Sequence, residues 1–148
     1  MDDPEIALPD PEQLTPIEDH FWTEGGVVSA SASVAVRGAP ISGEKFLAHA
    51  TRQAREFSLR GANMASLSVD LVIEQWPLER ILADQLMTYS RYATCPVGDL
   101  RLAGFAVLAT GRAPHADVVL PALSIVEADR LARLFVPNEA QNPYKRRR

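Results

Sequence analysis

His115 and Asp117 are the residues of this sequence whose types and spacing best fit acid–base chemistry. They stand two apart in an alternating apolar stretch that predicts a β-strand, so both side chains point to one face of the sheet. A carboxylate beside an imidazole orients the ring and stabilises its cation, as in a general base. The spacing fixes no nucleophile near them. The alternative interpretation is therefore an edge histidine beside a solvated aspartate.

Cys95, the single cysteine, is a second candidate, as a nucleophile that a histidine would activate. It precedes Pro96 in a segment, residues 92–99, that is predicted to be a loop following a helix. No helix N-terminus would then activate its thiol, and an ordinary loop thiol is the expected interpretation. Because it is alone it forms no internal disulfide or thiolate cluster, and we expect a cytoplasmic protein.

The sequence lacks both phosphate-binding glycine motifs and metal-ligand spacings. Its eight glycines never form GxGxxG or GxxxxGK[ST], and Gly25-Gly26 precedes a strand rather than joining a strand to a helix. His20, His49 and His115 do not have the spacing of metal ligands. We therefore expect no P-loop or Rossmann nucleotide site, no metal and no cofactor.

Three short segments follow one another in an order similar to that of ADP-ribosyltransferase-like toxins. They are Arg37-Gly38, Ser66-Leu67-Ser68 and the strand that runs from His115 to Pro121. Together the three segments extend over about 85 residues of the chain. The toxins carry an arginine that ends the first strand, a later Ser-Thr-Ser and a late Glu-x-Glu. The resemblance implies that Arg37 contacts NAD phosphate, that Ser66 supports the pocket and that Asp117 is the catalytic acid. This sequence departs from the pattern at Leu67 and Asp117, where the family has threonine and glutamate, so the implied acid is an impaired one.

Charge is concentrated at the two ends of the chain. Residues 1–24 contain eight acidic residues and no lysine or arginine, and the chain ends in Lys145, Arg146, Arg147 and Arg148. Acids and bases balance between these ends, so any long-range electrostatic function lies in the ends. The four cations after Tyr144 fit weak, salt-sensitive contact with nucleic acid. A solubilising end or a partner-binding tail fits them equally well.

The acidic leading segment keeps large apolar residues although its four prolines prevent a continuous helix. A purely solvating tail would rarely keep apolar side chains as large as those of Ile17, Phe21 and Trp22. We therefore expect the segment to dock, on its own body or on a partner, with these three residues as the anchors.

A basic helix side offers a further candidate surface. It carries Lys45, His49, Arg52 and Arg55, diluted by two nearby glutamates, Glu44 and Glu56. It fits a solvated helix face, or contact with phosphate or with an acidic segment. The leading segment of this chain is one such acidic segment.

Apolar periodicity predicts seven elements in the order β-α-β-α-β-β-α. The predicted strands cover residues 28–37, 64–73, 100–109 and 115–120, and the predicted helices cover residues 43–60, 77–91 and 124–136. Ser42 and Ser124 are the expected helix caps. Gly104 sits at a phase change that indicates a β-bulge. Strands joined through a helix are expected to be parallel, and the last two strands to form an antiparallel hairpin.

The composition fits one α/β (α+β) domain with a mixed four-stranded sheet and helices packed on it. The chain has 148 residues, of which 47% are hydrophobic and 23% charged. The predicted organisation is an acidic arm over residues 1–24, a globular domain over 25–137 and a basic tail over 138–148. No apolar run reaches the roughly 20 residues of a membrane span, so we expect no membrane contact.

These observations favour a small, non-catalytic interaction protein, an accessory subunit or regulator that binds a protein partner. The enzymatic alternative is an NAD-consuming transferase that uses Arg37, Ser66 and Asp117. The third alternative is nucleic-acid contact through the terminal cations. The sequence does not predict the oligomeric state.

Overall fold

The computed structural model describes residues 33–59, 61, 64–109 and 113–146. The predicted anchors Ile17, Phe21 and Trp22 lie outside the described residues, as do Arg147 and Arg148.

Helices and strands alternate along the described chain, except for one pair of consecutive strands. The elements are β1 (Val34–Gly38), α1 (Gly43–Leu59), β2 (Ser66–Val72), α2 (Leu78–Arg80), β3 (Arg91–Pro96), α3 (Val97–Leu102), β4 (Ala106–Ala109), β5 (His115–Val119), α4 (Ile125–Phe135) and β6 (Ala140–Gln141). A π-helical turn, Ile81–Gln85, extends α2, and a 3-10 turn, Val136–Asn138, follows α4. Within these residues, no helix is long and apolar enough to cross a membrane.

The strands form a single sheet in the order β4-β5-β2-β1-β3-β6, and every neighbouring pair is antiparallel. The mixed α/β class and the β4–β5 hairpin are confirmed. The expectation of four strands with parallel neighbours is wrong. α1 runs from Phe46, whose ring lies near Arg37 of β1, to Phe57, which packs with Met64 and Val119 beside β5. Because α1 crosses the strands instead of returning along them, β2 starts at the end of the sheet where β1 stops.

The predicted second helix, residues 77–91, is much shorter in the structure. Its apolar residues Ile81, Leu82 and Leu86 do pack together, around Val36 of β1. The chain then enters β3, where a loop was expected. The buried residues of β3 are Ala93 and Cys95, and two small side chains in six residues are too weak an alternation to indicate a strand.

The predicted strand over residues 100–109 is also wrong in its first half, which belongs to α3. Gly104 has φ 96° and stands just past the helix end. Its N–H donates to the Arg101 carbonyl, and the Phe105 N–H donates to the Leu100 carbonyl, both at 3.0 Å. These bonds form a Schellman motif, whose left-handed position favours glycine. The phase change at Gly104 therefore marks a helix end rather than a β-bulge.

Both expected serine caps are confirmed. Ser42 Oγ accepts from the Lys45 N–H at 3.2 Å, and Ser124 Oγ accepts from the Glu127 N–H at 3.3 Å. The Glu127 carboxylate does not complete a capping box but binds the Arg130 guanidinium through two hydrogen bonds of 2.9 Å.

The main core lies between the sheet and the pair α1 and α4. Leu67, Val69 and Leu71 of β2 line the sheet side. Phe46 of α1 meets Phe135 of α4 edge to face, with ring centroids 5.9 Å apart. This packing fixes α1 against β2, where the polar side chains of the chain converge.

Part of the predicted basic tail is joined to the body. β6 pairs with β3, and Asn142 beyond it is buried. Asn142 Nδ2 donates to the carbonyls of Leu82, Leu86 and Tyr89 at 3.3, 2.9 and 3.1 Å. It therefore ties the end of the chain to the π-helical turn and the residues after it.

Candidate functional site

Side chains, rather than a neighbouring strand, bind the backbone of Ser68 in β2. β1 pairs with β2 at three positions, and the last of these joins Val36 to Asp70. Past that point the Ser68 N–H donates to His49 Nε2 at 3.2 Å, and the Ser68 carbonyl accepts from Arg37 Nη1 at 2.7 Å. α1 is thus attached to the sheet by polar contacts where β1 and β2 stop pairing.

A second set of bonds extends these contacts to β5. Gln53 Nε2 of α1 donates to Ser68 Oγ at 2.9 Å and to Asp117 Oδ1 at 3.3 Å. Ser66 Oγ donates to Asp117 Oδ1 at 2.9 Å, and both of these residues are buried. We call this set the polar network; its members are Arg37, His49, Gln53, Ser66, Ser68 and Asp117.

The polar network brings together the three residues of the enzymatic alternative, Arg37, Ser66 and Asp117. Asp117 is only 2% exposed, and one of its oxygens accepts two hydrogen bonds. A substrate hydroxyl would have to displace Ser66 or Gln53 to reach that oxygen. In this state the carboxylate joins α1, β2 and β5.

The sequence pattern did not indicate Gln53, and it indicated His49 and Ser68 without predicting that they bind each other. His49 and Gln53 stand four residues apart and so share a face of α1, which was the available signal. Their common target, Ser68, is distant in sequence, so the residues around it do not predict these contacts.

Burial and neighbouring cations shift the ionisation of the network. The pKa of His49 is lowered to about 4, first by desolvation and then by the charges of Arg37, Arg52 and His115. Desolvation also lowers the pKa of Arg37, and the buried Arg37 Nε has no hydrogen-bond partner among the described residues. The pKa of Asp70 is raised by desolvation, against the opposing effect of His115 and Arg37. The network therefore favours a neutral imidazole beside fixed positive charge.

Gly38, which follows Arg37 in the resemblance, has a packing role. A Cβ atom at this position would lie 2.5 Å from ring atoms of Tyr89, closer than real contacts allow. A larger residue here would force the Tyr89 ring, which lies against the end of β1, to move.

The predicted pair of His115 and Asp117 lies on one face of β5, as expected from its spacing. Across the strand pair, His115 stands opposite Asp70 and Asp117 stands opposite Ser68. Asp117 is buried, so the interpretation of a solvated aspartate is wrong.

Cys95 lies in β3 and is buried, which corrects its expected place in a loop. Its pKa is raised to about 11, first by desolvation and then by Asp99, and its Sγ lies 3.5 Å from the Pro96 carbonyl oxygen. The thiolate is therefore scarce at neutral pH, which disfavours nucleophilic chemistry.

Three exposed surfaces among the described residues lie outside the network. One follows α1, where Lys45, Arg52 and Arg55 are exposed at helical spacing and form no ion pair with any described residue. We call these three residues the cationic stripe. Leu59, 83% exposed, extends the stripe at the end of the helix.

The second surface is where α3 meets α4. Leu102 is 90% exposed, Val126 64% and Ile125 45%. Arg130 joins the two helices, because its Nη1 donates to the Ala103 carbonyl at 2.7 Å. We call Leu102, Ile125 and Val126 the apolar corner.

The basic end of the chain is partly described. Tyr144, Lys145 and Arg146 are exposed, and the Arg146 N–H donates to the Met87 carbonyl at 2.8 Å. These residues lie together on the surface, and nucleic-acid contact through them remains a prediction.

No three His, Cys, Asp or Glu side chains gather as metal ligands within residues 33–59, 61, 64–109 and 113–146. No protein-family model, curated protein or solved structure matches the chain.

Proposed function

We propose that this protein is a non-catalytic interaction protein, an accessory subunit or regulator that binds a protein partner through the apolar corner. The observation that carries the proposal is the exposure of Leu102 and Val126 on two helices that Arg130 holds together. Burying one such side chain contributes about 1.5–3 kcal/mol, so a folded protein that leaves several of them in water has an unused source of binding energy.

The chemistry around the apolar corner supports binding to a protein. Arg130 lies over the Phe105 ring at 4.7 Å and pairs with Glu127 at 2.9 Å, so its guanidinium is already ordered. Exposed apolar side chains together with an ordered arginine match the composition of protein interfaces, and ordering before binding lowers the entropic cost.

Site-specific photo-crosslinking tests this function in the full chain. A photoreactive amino acid would replace Leu102 or Val126, and a matched control would replace Val136, which is 50% exposed and lies after α4. We expect one protein to crosslink from positions 102 and 126 and not from 136. Equal crosslinking from all three positions, or none from 102 and 126, would contradict the proposal.

The same experiment addresses the predicted anchors in the leading segment. A chain that starts at Gly25 lacks Ile17, Phe21 and Trp22 while keeping the apolar corner. Weaker crosslinking from position 102 in the shortened chain would add these anchors to the partner surface. Unchanged crosslinking would confine the partner to the folded body.

A second candidate function is NAD-consuming transfer, which one observation favours. Arg37, Ser66 and Asp117 belong to one hydrogen-bonded network although they are far apart in sequence. An NAD-hydrolysis assay on the wild type, Asp117→Asn and the exposed control Asp129→Asn tests it. Turnover lost only in Asp117→Asn would support the transferase, and equal background in all three would end that interpretation.

A further inference from the structure

We infer that the cationic stripe of α1 is the docking site of the chain's own acidic segment, residues 1–24. The stripe presents three exposed cations without an ion-pair partner among the described residues. Arg80, Arg91, Arg130 and Arg133 each pair with a carboxylate, whereas the exposed Arg101, Lys145 and Arg146, like the stripe, form no ion pair with a described residue.

Charge complementarity assigns the occupant. Residues 1–24 carry eight acidic residues and no lysine or arginine, whereas the remainder of the chain up to Tyr144 is balanced. The negative charge of this chain is thus concentrated in the leading segment, which is covalently attached to the folded body. Covalent attachment gives it a high effective concentration at the stripe, which a separate acidic partner lacks.

The apolar residues of the segment match the stripe as well. Phe21 and Trp22 are bracketed by Asp19 and Glu24. The stripe offers an apolar contact next to its cations, because the exposed Leu59 follows Arg52 and Arg55 on the same side of α1. Acidic groups can therefore pair with the guanidinium groups while an aromatic ring covers Leu59.

The connecting residues are long enough to bring the segment to the Lys45 end of α1. Eight residues, 25–32, join Glu24 to Ser33 and span at most about 28 Å when extended. β1 has five residues and covers about 17 Å. Glu24 can therefore reach beyond the Gly38 end of β1, near which α1 begins.

Docking at the Lys45 end of the stripe would place the segment near the partner surface proposed above. A Cβ atom on Gly43 would collide with Asp129, so the first residue of α1 lies directly against α4. Asp129 is one helical turn from Ile125 of the apolar corner. The inference nevertheless stands independently of the proposed partner, because it concerns a contact within one chain.

Zero-length carbodiimide crosslinking of the full chain tests the contact sharply, because the sequence has only two lysines, Lys45 and Lys145. Lys45 belongs to the cationic stripe, and Lys145 belongs to the basic end. We expect the monomer to yield peptides that join carboxylates of residues 1–24 to Lys45. Joining to Lys145 alone, joining found only in dimers, or no joining would overturn the inference.

Charge variants separate a specific contact from chance collisions. Arg52→Gln with Arg55→Gln should lower the yield at Lys45 several-fold, whereas the matched pair Arg101→Gln with Arg133→Gln should leave it unchanged. Raising the salt concentration from 0.05 to 0.5 M shortens the screening length from about 14 to about 4 Å, and the yield should fall with it. Equal yields in both variant pairs would refute the assignment to the stripe. Circular dichroism would confirm that each variant is folded.

Discussion

Acidification from pH 7 to pH 5 should weaken this fold through His49. His49 Nε2 accepts a hydrogen bond from the Ser68 N–H, so the folded protein requires an unprotonated nitrogen at this position. Burial, followed by the charges of Arg37, Arg52 and His115, lowers the pKa of His49 to about 4. The unfolded chain takes up the proton near pH 6.5, whereas the folded chain resists it. The unfolded state therefore binds more protons between these two values, and stability falls as the pH falls.

The structure sets the size of the effect. A shift of the pKa from 6.5 to about 4 corresponds to a loss of about 2 kcal/mol between pH 7 and pH 5. The ring is only partly buried, and solvent screening reduces this figure to about 1 kcal/mol. Asp70 acts in the opposite direction, because its raised pKa favours the protonated folded state at low pH. A variant of His49 alone is needed to separate the two contributions.

His49→Gln keeps a hydrogen-bond acceptor for the Ser68 N–H and removes the titration. Urea unfolding followed by circular dichroism at pH 7 and pH 5 would give the free energy of unfolding of both proteins. We expect the wild type to lose about 1 kcal/mol more than the variant on acidification. If both proteins lose the same amount, the proposed link between His49 and the sheet is wrong.

Three further predictions follow from buried groups. Asn142→Ala should lower the free energy of unfolding by about 1–3 kcal/mol, measured in urea, because three carbonyls lose their common donor. Asn142→Asp should cost more than Asn142→Ala, since a carboxylate would face the same oxygens; an equal or smaller loss would contradict the assigned contacts. Phe135→Ala should lower the free energy of unfolding by about 3–5 kcal/mol in the same assay, because the ring is fully buried against Phe46. A loss below about 1 kcal/mol would show that the ring is not packed as described. Cys95, with its pKa raised to about 11, should react with a thiol reagent at pH 8 far more slowly in the folded protein than in urea, and equal rates would place the thiol on the surface.

The parts of this fold that local chemistry specifies were predictable. The bounds of α1 and α4 follow from an apolar stripe and a serine cap, and Ser42 and Ser124 do cap these helices. β2 follows from its alternation of polar and apolar residues, and β5 follows from a short apolar run after a turn. Each of these signals lies within one element, so no knowledge of the neighbours is needed to recognise it.

The candidate site was predictable only in part. The family resemblance named Arg37, Ser66 and Asp117 for the enzymatic alternative, and the fold does place them in one network. The burial of Asp117 under Gln53 and Ser66 was not foreseeable, because it depends on where α1 lies over the sheet. The exposure of Leu102 was not predictable either, because the sequence pattern assigned residues 100–102 to a strand.

The sequence alone determined which segments are amphipathic, where two helices begin and how charge divides between body and ends, because these properties depend on adjacent residues. The tertiary structure decided the rest. It made every strand pair antiparallel, turned residues 91–96 into a strand and residues 97–102 into a helix, and supplied His49 and Arg37 as partners for Ser68. The physical reason is that strand direction and the partner of a polar group are set by long-range packing, to which short stretches of sequence contribute only weak preferences.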